Sequence, residues 1–224
     1  MNGQALGRIS AADLAWGASP LPREAVGRYG ARALKRLVDV VAAICLLASS
    51  APLCALVALA IKLEDGGPIL FRQTRVGRRG ALFTLRKLRS MRPNAEAESG
   101  PQCAVVNDLR VTRIGHWIRA LRIDEIPQAW NVLVGEMSFV GPRPERPEFV
   151  ATLRETIPHY DYRHSVRPGI TGWAQVNQPY TASVKHPGIK QEYDLYYLEH
   201  ISVWLDCLIL LRTVKIILLG WGGR

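Results

Sequence analysis

The run LVDVVAAICLLASSAPLCALVALAIKL, residues 37–63, decides how this chain is built. Its polar side chains are Asp39, Ser49, Ser50 and Lys62, and the other residues in it are apolar or small. A segment of this length and composition is a candidate for insertion into a membrane. Some thirty-five residues precede it, and it is longer than the apolar core of a signal peptide. We therefore do not expect it to be cleaved.

Basic residues flank the apolar run on both sides, and they determine its expected topology. The positive-inside rule keeps both flanks in the cytoplasm, so a segment that enters the membrane and returns on the same side fits better than a straight span. An ordinary single span with a kink is the alternative. The flanking residues are Arg28, Arg32, Lys35 and Arg36 before the run, and Lys62, Arg72, Arg75, Arg78 and Arg79 after it.

Ser50 and Pro52 mark the expected break in this segment. A proline removes one backbone hydrogen bond and bends a helix. Serine hydroxyls, here those of Ser49 and Ser50, can bond the freed carbonyls where no water is available. The sequence therefore predicts a re-entrant helix–break–helix element over residues 31–64.

The rest of the chain predicts an α-rich α+β fold. Residues 69–83 favour two short strands around a Gly-Arg-Arg-Gly turn, a basic hairpin. Residues 109–120 have the pattern of an amphipathic basic helix, which suits an anionic membrane surface, although an ordinary surface helix has the same pattern. Residues 191–200 favour a helix, and residues 201–221 are apolar with charges that favour an interfacial or core-packed helix over a span.

These patterns divide the chain into three expected parts. Residues 1–30 form a flexible leader, because the first 27 residues carry scattered Gly, Pro and Ala with no sustained period. Residues 31–64 form the re-entrant membrane helix. Residues 65–224 form a small cytosolic domain that is pressed against the membrane by interfacial amphipathic helices.

The net charge of +10 and the pI near 9.8 indicate an anionic partner. The basic residues are spread over many segments, which disfavours a nucleic-acid-binding arm. The four cysteines have no Cys-x-x-Cys spacing, and the five histidines have no zinc-site spacing. We therefore expect reduced, structural thiols. From the spread of the basic residues we expect no nucleic-acid partner.

An adjacent acidic pair, Asp124 and Glu125, lies in the basic stretch RALRIDEIPQ, residues 119–128. Pro127 is tolerated in the first turn of a helix, so we expect a helix to begin near Asp124, with Asp124 at its N-cap. Gly135 is the expected end of that helix. A helix N-terminus favours anions such as phosphate. Taken alone, the pair is also what an ordinary capping aspartate followed by a first-turn glutamate looks like.

Four further segments accompany the pair, and together they resemble the bacterial sugar transferase family. The resemblance runs from about Lys35 to about Ile217, and its specificity comes from five motifs in a fixed order. In chain order the segments are FRQTRVG (71–77), RKLRSM (86–91), the Asp-Glu pair, MSFVGPRP (137–144) and RPGITGWAQVN (167–177).

The resemblance implies a monotopic polyprenyl-phosphate phosphoglycosyl transferase of the short form, which lacks the additional N-terminal membrane helices of larger relatives. Such an enzyme transfers a sugar-1-phosphate from a UDP-sugar to undecaprenyl phosphate and releases UMP. It works at the cytoplasmic face of the bacterial inner membrane, in the first membrane step of exopolysaccharide or other surface-glycan assembly. The implied partners are the two substrates and membrane lipids; the sugar and the oligomeric state are left open.

The resemblance also assigns roles to residues. Asp124 matches the nucleophile that forms an aspartyl-phosphosugar and is the expected Mg²⁺ ligand, and Glu125 matches its partner. Cations are needed because a carboxylate that attacks a phosphoanhydride approaches a centre ringed by negative oxygens, and Mg²⁺ offsets the same repulsion. The expected phosphate-binding residues are Arg119, Arg143, Pro144, Arg167 and Lys87. Trp173 and Gln175 are candidates for orienting a substrate, with a core tryptophan and a structural amide as the alternatives.

Two rival functions share these features. A hydrolase would use the same acidic pair but resolve the covalent intermediate with water. A basic membrane anchor would bind anionic lipid or nucleic acid, and its binding would fall steeply with salt and not depend on Asp124.

Overall fold

The computed structural model describes residues 7–8, 31–97, 100, 102, 108–178 and 187–219. The expected leader at residues 1–30 lies almost wholly outside this range. The helices are α1 (Ala31–Asp65), α2 (Arg113–Ala120), α3 (Gln128–Val134), α4 (Pro147–Thr156), α5 (Trp173–Asn177), α6 (Pro187–Glu199) and α7 (Val203–Leu218). The strands are β1 (Leu70–Val76), β2 (Leu82–Leu88), β3 (Ser138–Val140) and β4 (Gly169–Thr171), and 3₁₀ turns cover Arg78–Gly80, Ile123–Glu125 and Tyr160–Ser165.

The apolar run forms α1, a helix of 35 residues that continues through Pro52. The sequence predicted two half-helices separated by a break, and the structure instead has one element, because a proline can bend a helix without ending it. The hydroxyls of Ser50 and Ser49 donate to the carbonyl of Leu46, at 2.5 and 3.3 Å. They therefore do not serve the carbonyl of Ala48, the one that loses its donor to Pro52.

One face of α1 packs against the rest of the molecule and the other is exposed. Ala43 packs in a cluster with Ala129, Val132 and Met137, and Ile61 packs in another with Leu88 and Ile118. Large apolar side chains on the opposite face are uncovered, and by length and composition this helix is long and apolar enough to cross a membrane. The exposed residues are Leu34, Leu37, Val38, Val41, Ile44, Leu53, Leu56, Leu59 and Leu63.

The predicted basic hairpin is confirmed. Strands β1 and β2 pair antiparallel from Leu70 opposite Leu88 to Val76 opposite Leu82, and the turn contains Arg78 and Arg79. The second strand continues to Leu88, five residues beyond the predicted end at Phe83. This extension carries Lys87 to the centre of the domain.

A second, parallel pair of strands was not expected from the sequence. Strands β3 and β4 align Ser138 with Gly169 and Val140 with Thr171. This pairing joins the loops after Val140 and before Gly169. A Cβ atom at Gly141 would lie 2.5 Å from the Arg167 carbonyl oxygen, and one at Gly169 would lie 2.2 Å from the Gly141 nitrogen, so this approach requires glycine on both sides.

The helices predicted over residues 109–120, 191–200 and 201–221 are present with shifted ends, whereas α4 and α5 were not predicted. Helix α2 starts at Arg113 because Thr112 caps it, accepting from the Gly115 amide at 2.9 Å. Helix α6 starts at Pro187, before the predicted Gln191. Helix α7 has Asp206 buried against Lys35 of α1 at 2.6 Å, so this charge is core-packed. The helix-rich class with a small amount of strand is confirmed.

Candidate active site

The acidic pair lies in a 3₁₀ turn between α2 and α3. The turn covers Ile123–Glu125 and follows Arg122, whose φ of 56° is left-handed. Helix α3 begins only at Gln128, with Pro127 before it as its cap residue, so the expected N-cap role of Asp124 is wrong. The left-handed Arg122 starts a 3₁₀ turn that contains Asp124. Asp124 therefore lies before α3 and does not cap it. Gly135 ends α3 with a φ of 93°, as predicted.

Glu125 is surrounded by cations. Its Oε1 lies 2.8 Å from Arg143 Nη2, 2.9 Å from Lys87 Nζ and 3.6 Å from Arg122 Nη1. Burial by itself would raise the pKa of this carboxyl, but the charges of Arg143, Lys87 and Arg122 outweigh burial and hold the pKa well below its usual range. Glu125 is therefore an ionised anchor for three cations at neutral pH.

Asp124 differs from its neighbour although it is equally buried, at 7% exposure against 9%. Its carboxylate makes no hydrogen bond or ion pair with any residue in the part of the chain that the structure describes. Burial raises the pKa of Asp124 and the charge of Glu125 raises it further, while Lys87, Arg122 and Arg119 oppose this effect. The result is an unpaired, basic carboxylate, which is what a nucleophile requires.

The two carboxylates are outnumbered by four nearby cations. Lys87 comes from β2, Arg119 from the last turn of α2, Arg122 from the turn and Arg143 from the loop after β3. Burial lowers the pKa of Lys87, and the carboxylate of Glu125 counters that shift. Arg119 is half-buried and has no hydrogen-bond or ion-pair partner among the described residues. The excess of positive charge favours an anionic ligand such as a diphosphate.

The loop that carries Arg143 is held by two other arginines, the partly buried Arg75 and the buried Arg163. Arg75 Nη1 donates to the carbonyl of Pro144 at 3.0 Å, and Arg163 Nη2 donates to the carbonyl of Arg143 at 2.8 Å. The side chain of Arg163 is 3% exposed and lies 2.8 Å from Asp194, which is on α6. Pro144 is predicted to contact phosphate. In the structure its carbonyl oxygen accepts this hydrogen bond from Arg75.

Sequence reasoning did not select Arg163, nor Arg122 as a site residue. The signal for Arg122 was its spacing of three residues from Glu125, which joins side chains on one helical face. Arg163 had only the neighbouring Tyr160, whose hydroxyl it reaches at 2.5 Å. Its partners Arg143 and Asp194 are 20 and 31 residues away in the chain, so no local pattern could identify them.

Three predicted site residues lie outside the acidic cluster. Arg167 Nε donates to the carbonyl of Gly135 at 2.9 Å, at the end of α3. Trp173 lies under the guanidinium of Arg212 at 4.8 Å and stacks on Tyr196 at 5.7 Å. Gln175 Nε2 donates to the Ile170 carbonyl at 3.0 Å, an oxygen that Arg143 Nη1 also approaches, at 3.5 Å. Substrate roles for these three residues stay predictions.

The residues present fit a magnesium ion. Within the described ranges no group of three or more His, Cys, Asp or Glu side chains could hold a metal. Mg²⁺ does not need such a cage, because it is commonly bound by one or two carboxylates together with substrate phosphates and water. The unpaired carboxylate of Asp124 is a suitable protein ligand of that kind.

The chain is similar in sequence to a family of known proteins. The family model described as "Bacterial sugar transferase" matches residues 30–220. The chain is 49% identical over 191 residues to the UDP-N-acetylgalactosamine-undecaprenyl-phosphate N-acetylgalactosaminephosphotransferase of Aeromonas hydrophila, covering 85% of this chain and 45% of that protein. It is 47% identical over 203 residues to the UDP-glucose:undecaprenyl-phosphate glucose-1-phosphate transferase of Caulobacter vibrioides, covering 89% and 73%.

A third relative is the undecaprenyl-phosphate glucose phosphotransferase of Komagataeibacter xylinus, 46% identical over 186 residues, which cover 81% of this chain and 35% of that protein. The chain thus spans less than half the length of the Aeromonas and Komagataeibacter proteins. The family match covers most of the chain and includes every residue of the acidic cluster. We conclude that this chain belongs to the bacterial sugar transferase family.

Proposed function

We propose that this protein transfers a sugar-1-phosphate from a UDP-sugar to undecaprenyl phosphate, with release of UMP. The observation that carries the proposal is the unequal pair: Glu125 is bound by three cations, while Asp124 beside it is buried and unpaired. Three relatives that share 46 to 49% of their aligned residues with the chain carry names for this reaction with two different sugars.

In the first half-reaction, a carboxylate oxygen of Asp124 attacks the phosphorus that bears the sugar. A new O–P bond forms, and the bond from that phosphorus to the bridging oxygen breaks, so UMP leaves with both bonding electrons. Lys87, Arg119 and Arg143 stabilise the charge that develops on the phosphates. A basic, unpaired carboxylate is suited to this attack.

In the second half-reaction, a phosphate oxygen of the lipid acceptor attacks the same phosphorus. The O–P bond to Asp124 breaks, the carboxylate is regenerated, and the product is a polyprenyl diphosphate sugar. Glu125 stays ionised throughout and keeps Lys87 and Arg143 in place. When bound, Mg²⁺ would supply further neutralisation of phosphate charge, with Asp124 as its protein ligand.

Both ends of α1 contact the same domain, which supports a re-entrant arrangement at the cytoplasmic face of the inner membrane. Near its start, Arg36 donates to the carbonyls of Val132 and Leu133. Near its end, Glu64 accepts from the amide of Arg113 at 2.8 Å. A straight span would separate these ends by about 30 Å of hydrocarbon, whereas one basic domain holds both.

Topology is tested by labelling single cysteines introduced near residues 30 and 66 in intact and permeabilised cells. Labelling of both sites only after permeabilisation is expected. Labelling of the two sites from opposite sides would overturn the re-entrant arrangement and leave a single span.

The activity is tested by screening UDP-sugars for UMP release in membranes that contain undecaprenyl phosphate and Mg²⁺. UDP-glucose, UDP-galactose and UDP-N-acetylgalactosamine form the first panel. We expect one of them to give a burst of UMP without added acceptor, ping-pong kinetics with acceptor, and an Asp124 adduct detectable by mass spectrometry after acid quench. Sequential kinetics with no adduct would mean that the acceptor attacks the UDP-sugar directly.

The same assay separates the rivals. A hydrolase would release free sugar phosphate and would not require the acceptor. A lipid- or nucleic-acid-binding anchor would show no UMP release with any UDP-sugar, and its binding would be unaffected by Asp124→Asn.

A further inference from the structure

A cleft of about 750 Å³ lies between the middle of α1 and the rest of the domain. The α1 wall consists almost wholly of small side chains on one face of the helix. The opposite wall comes from the hairpin and from the segment that follows the acidic pair. The lining residues are Leu47, Ser50, Ala51, Cys54, Ala55 and Ala58 on one side, and Ile69, Leu70, Arg86, Leu88, Ile126, Pro127 and Trp130 on the other.

Packed side chains border the cleft along α1 in both directions. At one end Leu46 and Leu47 pack against the cluster that contains Val132. At the other end Val57 and Ile61 pack with Leu88. The twelve residues from Leu47 to Ala58 are eleven helical steps, which span roughly 16 Å at 1.5 Å per residue. The space therefore has the shape of a short apolar slot, and its volume is within the range of specific small-ligand sites.

The slot shares its wall with the active site. Arg86 lines the slot, while the next residue, Lys87, binds Glu125. Ile126 lines the slot, while the preceding residue is Glu125 itself. Successive strand residues point to opposite faces, so the backbone of one residue separates the two sites.

Arg86 is the single cation of the slot. Its guanidinium has no hydrogen-bond or ion-pair partner among the residues that the structure describes, and only its backbone amide is bonded, to Asn131. An unpaired arginine on an apolar wall suits a ligand that is mostly hydrocarbon and carries an anionic group at one end.

We propose that this slot holds the first isoprene units of the polyprenyl phosphate acceptor beside the active site, with Arg86 supplying a positive charge that favours an anionic lipid. The proposal rests on the proposed function, which requires a lipid phosphate to reach Asp124. The small side chains at Ala51, Ala55 and Ala58 leave the room that this chain occupies.

The test is photo-crosslinking of the full chain in lipid nanodiscs with a prenyl phosphate that carries a diazirine in its first isoprene units. No UDP-sugar is added, so labelling does not depend on turnover. The expected label lies on residues 47–58 and 126–130. Undecaprenyl phosphate should compete with it, and dioleoyl phosphatidic acid, which has a phosphate monoester on two acyl chains, should not.

Variants sharpen the assignment. Ala55→Phe fills the slot, and we expect labelling and the apparent acceptor affinity to fall about tenfold, the effect of losing roughly two buried methylene groups. Its matched control is Leu56→Phe, on the exposed face of α1. Arg86→Gln should weaken labelling by the phosphate probe, whereas Arg79→Gln, in the exposed hairpin turn outside the slot, is its control.

The crosslinking and activity results separate the slot from the proposed function. The slot is overturned if the label lies outside both segments or if phosphatidic acid competes as well as undecaprenyl phosphate. It is also overturned if Ala55→Phe and Leu56→Phe have equal effects. Specific labelling of a protein that releases no UMP from any UDP-sugar would refute the proposed activity and leave the slot standing. UMP release with label elsewhere would refute the slot alone.

Discussion

Two clusters of buried charge lie side by side in this domain, and they differ in one respect. The site cluster contains Asp124, Glu125 and the cations around them. The anchor cluster contains Glu145, Arg163, Lys190 and Asp194. In the anchor cluster every charge has an opposite charge within ion-pair distance. In the site cluster Asp124 has none among the described residues.

The pKa directions of Glu145 and Asp124 show the effect of pairing, although burial also raises the pKa of Asp194 against the opposing charges of Arg163 and Lys190. Lys190, Arg163 and Arg75 overcome the effect of burial and lower the pKa of Glu145 to about 2. Burial raises the pKa of Asp124 against only partial compensation. A buried group that is fully paired stabilises a fold or holds a loop, whereas a buried carboxylate left unpaired is a candidate for chemistry. The anchor cluster in turn holds the loop of Arg143 through Arg163.

The largest expected effect is that of Asp124→Asn. The variant keeps the size of the side chain but removes its charge and most of its nucleophilicity. We expect UMP release to fall by several orders of magnitude, measured as the acceptor-independent burst. An unchanged burst would show that Asp124 is not the nucleophile.

Stability separates this variant from Glu125→Gln. A raised pKa means that the fold disfavours ionised Asp124 above that pKa, so Asp124→Asn should unfold at an equal or higher temperature at neutral pH. A depressed pKa means that ionised Glu125 stabilises the fold down to the folded-state pKa, so Glu125→Gln should unfold at a lower temperature. Thermal unfolding at pH 7 in detergent measures both, and the opposite order would contradict the comparison.

The second effect tests the anchor cluster. Arg163→Ala leaves Asp194 as an uncompensated buried charge, and breaking such a pair costs about 3–5 kcal/mol in the free energy of unfolding. Arg154→Ala is the matched control, because its partner Asp161 is exposed, and such pairs contribute about 0–1 kcal/mol. Denaturant unfolding of both variants measures the difference, and equal losses would show that the cluster anchors nothing.

The third effect is that of Arg143→Ala, which removes a charged donor beside Glu125. Loss of one such contact costs on the order of 10²-fold in turnover. Arg167→Ala, at the other arginine that the sequence predicts to bind phosphate, is the comparison, and we expect a smaller loss because its side chain donates to the Gly135 carbonyl and lies outside the cluster. A larger loss of turnover in Arg167→Ala than in Arg143→Ala would restore Arg167 to the phosphate site.

Features that depend on neighbouring residues could be predicted from the sequence. The apolar run, the hairpin turn and the end of α3 at Gly135 each follow from neighbouring residues, and Lys87 and Arg143 came from motifs that resemble a family. The parallel pairing of Ser138–Val140 with Gly169–Thr171 was missed, because strands of three residues carry too little periodicity to detect.

The unequal pairing of the two carboxylates could not be predicted from the sequence either, although the family resemblance gives them different roles. Asp124 and Glu125 are adjacent acidic residues, and the residues around them in the sequence are the same. What separates them is that Lys87 and Arg143, 38 and 18 residues from Glu125, both reach Glu125 and not Asp124. Such contacts between distant positions depend on packing of the whole domain.

The smallest expected effect concerns pH. Because burial raises the pKa of Asp124, the acid limb of kcat/KM for UMP release should lie above that of an ordinary aspartate. The charge of Arg119 opposes this shift, so Arg119→Gln should raise the pKa of Asp124 and move the acid limb to higher pH. Arg113→Gln, on the same helix but exposed, is the matched control and should leave the limb in place. Because salt screens the interaction of the half-buried Arg119, the displacement should shrink at high ionic strength. A limb that moves to lower pH in Arg119→Gln, or moves equally in both variants, would mean that another group sets the acid limb.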